Sequence, residues 1–237
     1  MQELKKTFRD CPTFSRQELL ASLKRQNPGL KDSSGSWLVY NMRKKNAIKK
    51  ISRDTFCLCD EDMLDKPVFI PDLSDDAKEI GSFFKVRYPE LAFIIWELRA
   101  FNNFINHMLA QNYIFVEVEK RLADLVFEAL REKFKYQLLF KPDEKELAMY
   151  AGNPTVIVQS LNSEAPVSGH STTLEKMLVD LFANRIIRQI ISPDENALIY
   201  EEALSRYQIN NAAMLRYARR RSKEPIVEEY LEKYRHD

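Results

Sequence analysis

The sequence predicts an α+β protein in two parts, a small helix-rich head and a larger mixed α/β body that ends in a helical region, and three observations lead there. The first is charge: residues 1 to 58 hold 13 Lys or Arg against 5 Asp or Glu, about +8, while the remainder holds 23 against 30, about −7. A formal net charge of +1 therefore conceals a basic head on an acidic body. The second is a change of period in the head, from apolar residues at helical spacing to strict alternation near residue 46. The third is a nearly continuous helical pattern from residue 172 onward.

In the head, Leu4 and Phe8 stand four apart and predict a short helix over 2 to 9, which Pro12 ends. Ser15-Arg-Gln-Glu18 has the form of a capping box, and Leu19, Leu20 and Leu23 place one apolar stripe on a second helix closing near Asn27-Pro28-Gly29. Ser33 or Ser34 caps a third helix to about Lys45, with Trp37, Leu38 and Met42 expected on its inner side. From Asn46 to Leu58 the alternation, with Arg53-Asp54 at its centre, reads as strand, tight turn and strand. Asn46 is placed where a left-handed residue would release the chain from the helix. Three short helices followed by a hairpin predict a winged helix-turn-helix over residues 1–59, with Ile48, Ile51 and Phe56 joining its core.

Residues 60–79 are rich in Asp and Glu and carry Pro67 and Pro71, which reads as an acidic linker. The body, 80–237, is then expected to hold a helix from Glu97 to Leu109, a strand from Tyr113 to Val118 and an amphipathic helix from Glu119 to Phe134. Tyr136 to Phe140 and Thr155 to Gln159 are further strand candidates. A capping box at Thr172-Thr-Leu-Glu175 opens helices near 174 to 191, 195 to 207, 210 to 221 and 225 to 236, and no internal repeat is seen.

Composition narrows the chemistry. The longest apolar run, Leu91 to Trp96, ends at Glu97 and falls far short of the roughly 18 residues a membrane span needs. The charged N-terminus lacks a signal-peptide pattern, so a cytoplasmic protein is expected. Cys11, Cys57 and Cys59 read as reduced thiols, and His107, His170 and His236 have no metal-ligand spacing. Hydrolytic triads and phosphate-binding loops find no support, and neither cofactor nor metal is expected.

Two groups of residues carry candidate functions. Ser34, Ser36, Tyr40, Asn41, Arg43, Lys44, Lys49, Lys50 and Arg53 gather on the third helix and the hairpin, the mixture duplex DNA selects. A helix fits the major groove, Asn and Arg read base edges, hydroxyls fix register on phosphates and hairpin cations neutralise them. A merely solvated charged face is the plainer account of the same residues. Separately, Glu117, Glu119 and Lys120, leaving a strand, match how some metal-dependent nucleases group carboxylates and a lysine around a divalent cation. A structural strand followed by a helix start with a favourable acid is the plainer account there. Arg216, Arg219, Arg220, Arg221 and Lys223 form a second basic cluster on a late helix, open to reading as a solvated face or as an auxiliary phosphate or partner contact.

Taken together, Ser36-Trp-Leu-Val-Tyr40-Asn-Met-Arg-Lys-Lys-Asn46-Ala-Ile48, Tyr113-Ile-Phe-Val-Glu-Val-Glu-Lys120 and Thr173-Leu-Glu-Lys-Met-Leu-Val-Asp180-Leu resemble, in order and spacing, the AbiEi-type antitoxins of type IV toxin–antitoxin systems. The resemblance implies a non-enzymatic winged-helix autorepressor that binds repeats in its own promoter. It further implies a C-terminal domain that counteracts a nucleotidyltransferase-like toxin without forming a stable complex. The chain departs from that pattern at Asn46 and at Arg53-Asp54, where glycines are common in the family.

Overall fold

The computed structural model describes residues 7–8, 13–27, 29–30, 32–44, 47–50, 54–58, 66–150, 152 and 154–234, and of residues 32, 33 and 49 the backbone alone. The chain is mixed α+β and divides into two compact units, one formed by residues 1–68 with 204–237 and the other by 69–203.

In the first unit, strand β1 (Phe14–Ser15) leads into helix α1 (Arg16–Gln26). Both arms of the expected capping box are present: Glu18 N–H donates to Ser15 Oγ at 3.1 Å, and Ser15 N–H donates to Glu18 Oε2 at 2.6 Å. The Ser15 backbone N–H is also the chief reason the Glu18 carboxyl is held below its ordinary range. Helix α2 (Asp32–Lys44) follows, then strands β2 (Ile48–Lys50) and β3 (Thr55–Leu58). The three strands form an antiparallel sheet in the order β1-β3-β2, with Phe14 opposite Phe56 and Ile48 opposite Leu58. Arg16 N–H donates to Asp54 O at 2.8 Å, which ties the start of α1 to the hairpin. Leu19, Leu23, Val39, Met42, Ile48, Phe56 and Leu58 close one core. Gly35 lies in that core because α1 approaches closely: a Cβ there would stand 2.8 Å from Leu20 Cδ2.

Four expectations for this region change or fall outside what is described. Trp37, expected in the core, is 63% exposed, because the inner stripe of α2 runs through Gly35, Val39 and Met42, and Trp37 lies off it. Of the 2-to-9 helix only Thr7 and Phe8 are described. Asn46, Ile51, Arg53, Cys11, Cys59 and His236 lie outside the described residues, whereas Cys57 is buried in β3. Most consequential, residues 204–237, expected to belong to the body, form one unit with the head.

Their helices α9 (Asn211–Arg220) and α10 (Glu224–Lys233) pack on each other, and α9 packs against β3. Thr13 Oγ1 donates to Glu228 Oε1 at 3.2 Å across 215 residues of sequence, and Gln208 N–H donates to Pro67 O at 3.0 Å. Burial first, and then the neighbouring Glu224, push the Glu228 carboxyl above its ordinary range.

The second unit opens with helix α3 (Asp75–Arg87), capped by Ser74, so the final residues of the expected 60–79 linker are helical. Strands β4 (Phe93–Glu97), β5 (Tyr113–Val118), β6 (Gln137–Phe140), β7 (Thr155–Ser160), β8 (Val167–Ser168) and β9 (Ser171–Thr172) form a six-stranded sheet in the order β6-β7-β5-β4-β9-β8. Strands β5, β7 and β6 run parallel, and β4 is antiparallel to β5. The unit's helices are α4 (Ala123–Lys133), α5 (Glu144–Tyr150), α6 (Leu174–Ala183), the single turn α7 (Ile187–Ile190) and most of α8 (Pro193–Arg206). The expected helix from Glu97 to Leu109 is instead the end of β4 and a 3₁₀ stretch, Leu98–Asn103, and the expected 174-to-191 helix breaks at Asn184.

Every residue of β5 is buried, as expected of a central strand covered on both faces. Ile114, Val116 and Val118 meet Ile80 and Phe84 of α3 and Val126 and Leu130 of α4, while Tyr113, Phe115 and Glu117 point the other way. Among the described residues, no helix is long and apolar enough to cross a membrane.

Because helices from the far end of the chain share the head's compact unit and α9 packs on β3, a fragment of residues 69–203 is expected to melt cooperatively by circular dichroism. A fragment of residues 1–79 is expected not to, and a cooperative transition in it would refute this division. Glu228 supplies a pH test. A carboxyl raised in the folded state favours folding below its unfolded value and costs stability as pH rises past its folded value. Glu228→Gln should therefore raise the melting temperature at pH 7, and the gain should vanish on acidification below the ordinary glutamate range.

Candidate functional sites

The α2 surface is built by amphipathic spacing. With Gly35, Val39 and Met42 turned inward, Ser34, Trp37, Tyr40 and Lys44 are exposed and Asn41 is half-buried, in a stripe three and four residues apart. Arg43 and Lys44 close the helix, where cations suit its C-terminal dipole, and both are exposed. Lys50 is exposed on β2, the edge strand of the hairpin. Ala47 N–H donates to Met42 O at 2.9 Å, so the helix passes into the hairpin within a few residues and their exposed side chains belong to one supersecondary unit. The structure thus brings Ser34, Ser36, Tyr40, Asn41, Arg43, Lys44 and Lys50 together, while the Lys49 side chain and all of Arg53 lie outside what is described.

Two features of this surface escaped sequence reasoning. Ser36 Oγ accepts from the Arg16 guanidinium at 2.9 Å, which adds a cation from α1 beside α2. Trp37, 63% exposed, adds an aromatic face beside the expected Tyr40, itself 59% exposed. The sole sequence signal for Trp37 was its offset from the Gly35-Val39-Met42 stripe, and that required knowing that a glycine faced the core.

In the body, Glu117, Glu119 and Lys120 are not brought to one point. Glu119 lies at the surface with the Arg121 guanidinium 2.9 Å away, and Lys120 is exposed. Glu117 is 1% exposed on the opposite face of the sheet from α3 and α4, and Lys176 of α6 reaches it there. Lys176 Nζ donates to Glu117 Oε1 and to Asp180 Oδ2, both at 2.7 Å, and stands 4.9 Å from the centre of the Trp96 ring. Trp96 Nε1–H at 2.8 Å and Gln159 Nε2–H at 3.1 Å also donate to Glu117 Oε1. Gln159 is the register partner of Glu117 across the parallel β5–β7 pair, so the sheet itself sets that contact.

Lys176 and Asp180 had a sequence signal of their own. They stand four apart in LEKMLVDLFA, a helix whose remaining residues are apolar apart from Glu175 in its first turn, so a charged pair there has to meet partners inside the fold. The lysine sits between two carboxylates, the place a divalent cation would take, and the group is closed to solvent. It is suited to clamping α6 onto the sheet. Among the described residues, no three His, Cys, Asp or Glu side chains converge as a metal site would require.

The clamp generates a stability test. Lys176→Met leaves Glu117 and Asp180 buried and uncompensated, and should cost about 3–5 kcal/mol in urea unfolding. Adding Glu117→Gln and Asp180→Asn removes both charges and should recover most of the loss; a triple variant no more stable than the single one would sink the clamp.

Among known proteins, residues 35–237 match a family model described as "Family of unknown function (DUF6577)". No curated protein matches the chain.

Proposed function

We propose that this chain, which belongs to that family, is a duplex-DNA-binding transcriptional regulator whose head is a winged helix, with α2 as the recognition helix and the β2–β3 hairpin as the wing. One observation carries the reading. The face of α2 that does not enter the core presents Ser34, Tyr40, Asn41 and Lys44, with Trp37 among them and Arg43 at its edge, directly before a hairpin bearing Lys50. The strand order β1-β3-β2, with two helices between β1 and the hairpin, supports it. So does charge: the unit containing α2 carries 22 Lys or Arg against 14 Asp or Glu, +8, while the other carries 14 against 21, −7.

By the resemblance noted above, the promoter of its own gene is the natural operator, and the larger unit would act as the antitoxin against a nucleotidyltransferase-like toxin. The nuclease reading of Glu117, Glu119 and Lys120 is the less favoured, since Lys176 already engages the Glu117 carboxylate.

Anisotropy or gel-shift titration against the DNA upstream of its gene tests the regulator directly. Specific binding should weaken steeply with salt, and Arg43→Ala with Lys44→Ala and Lys50→Ala should lower the salt slope by roughly 0.9 per lost phosphate contact. Salt-insensitive binding that the triple variant leaves unchanged would overturn the proposal. The two tryptophans add a second readout, because Trp96 is buried and Trp37 exposed: operator DNA should change the emission, and Trp37→Phe should abolish the change. For the antitoxin role, co-expression with the toxin gene should restore growth.

A further inference from the structure

The outward face of α2 is aromatic along its centre line. Each residue advances an α-helix by about 100°, so side chains two residues apart lie nearly opposite one another. Gly35, Val39 and Met42 are buried, and Leu38 packs against the same core. Trp37 stands two positions from both Gly35 and Val39, and Tyr40 two from both Leu38 and Met42, so both rings are carried on the side facing away from the core. Lys44, four beyond Tyr40 and two beyond Met42, lies on the same line, with Arg43 and the half-buried Asn41 at its flanks. Among the described residues, neither a second ring nor a hydrogen bond engages the side chains of Trp37, Tyr40 and Asn41.

Charge decides what such a face fits. The cores of protein–protein contacts are rich in aromatics but depleted in lysine. Here Lys44 shares the centre line, Arg43 and Lys50 stand close by, and the unit as a whole carries +8, which favours a polyanion over a second apolar surface. In the major groove a duplex offers an aromatic ring one apolar group, the C5 methyl of thymine. Asn41, four residues from Trp37 and therefore its neighbour on the helix surface, has the amide that pairs with N6 and N7 of adenine. The ring contact and the amide contact converge on the same kind of base pair.

We propose that Trp37 and Tyr40 are specificity-determining residues that pack on thymine methyl groups, with Asn41 on a neighbouring adenine, so that the DNA this protein selects carries A·T pairs where α2 enters the major groove. This rests on the DNA-binding reading above and adds the class of base that α2 selects. The cations hold the helix on any duplex, and the rings distinguish thymine from cytosine, whose C5 carries no methyl group.

The test uses the duplex upstream of the gene in two forms, with thymine or with uracil at every T position, so that pairing and charge are kept and the methyl groups alone are lost. Wild-type protein should bind the uracil form about tenfold more weakly, as the loss of two buried methyl groups predicts, with the slope of log K against log salt unchanged. Trp37→Ala/Tyr40→Ala, checked for an unchanged melting temperature, should bind both forms equally, near the wild-type affinity for the uracil form. Trp37→Phe/Tyr40→Phe keeps both rings and should keep most of the thymine preference. Equal binding of the two forms by wild type, with Arg43→Ala/Lys44→Ala still weakening it, refutes the methyl contact and leaves the regulator standing; so does a thymine preference that survives in the alanine variant. If the alanine variant instead changes the sedimentation of the DNA-free protein and keeps that preference, the rings belong to a contact between copies of the chain and the proposal is overturned. If wild-type protein shows no salt-dependent binding to either form, both readings fall together.

Discussion

Strand β3 is buried along both faces, and the first unit is organised around that constraint. Phe56 and Leu58 enter the core made by α1 and α2, while Cys57, between them and therefore turned the other way, is buried too. A segment of about sixty residues has little apolar surface with which to cover a second face. Here α9, from the end of the chain, packs on it with α10 packed on α9, and Thr13 and Glu228 meet across a sequence separation of 215. The far C-terminus is therefore part of the head in every physical sense, and its arginines belong to the head's electrostatics.

The second unit has its own constraint. A strand buried on both faces is normally uniformly apolar, yet β5 carries Glu117 on its α6 side. An isolated carboxylate there would be very costly. It is accommodated because Lys176, Trp96 and Gln159 all donate to one of its oxygens, and because Lys176 is shared with Asp180. Each of these donors comes from a different element, so the group fixes β4, β5, β7 and α6 together with directional bonds that apolar packing alone would not provide. A motif that resembles a nuclease site in one dimension is, in three, a tie between layers.

The division of charge connects these two facts to the proposed function. A DNA-binding unit needs an excess of cations on its own surface, and the arrangement of the chain concentrates them there: +8 on one unit and −7 on the other, nearly cancelling in the whole. The acidic unit has no comparable attraction for polyanions, so a duplex should discriminate between the two units by electrostatics before any base is read.

Much of this was legible in the sequence, wherever the determining contacts are local. The Ser15–Glu18 box, the start of α6 near residue 174, the 113–118 strand and the outward placement of Tyr40 and Lys44 follow from neighbours within one turn or one strand, although Thr173 bonding Lys176 N–H, and not the expected Thr172–Glu175 box, caps α6. The apolar run at 91–96 could not declare itself a strand without its partner β5, nor could Trp37 be assigned to the surface without α1 pressing on Gly35. What only the tertiary structure decided is long-range: that Glu117 meets Lys176 instead of Glu119 and Lys120, and that residues 204–237 form one compact unit with the N-terminal sheet. The physical reason is the same in both cases. Local pattern records which face of an element is apolar or charged, whereas the identity of the partner that covers that face depends on the path of the whole chain, which periodicity does not encode.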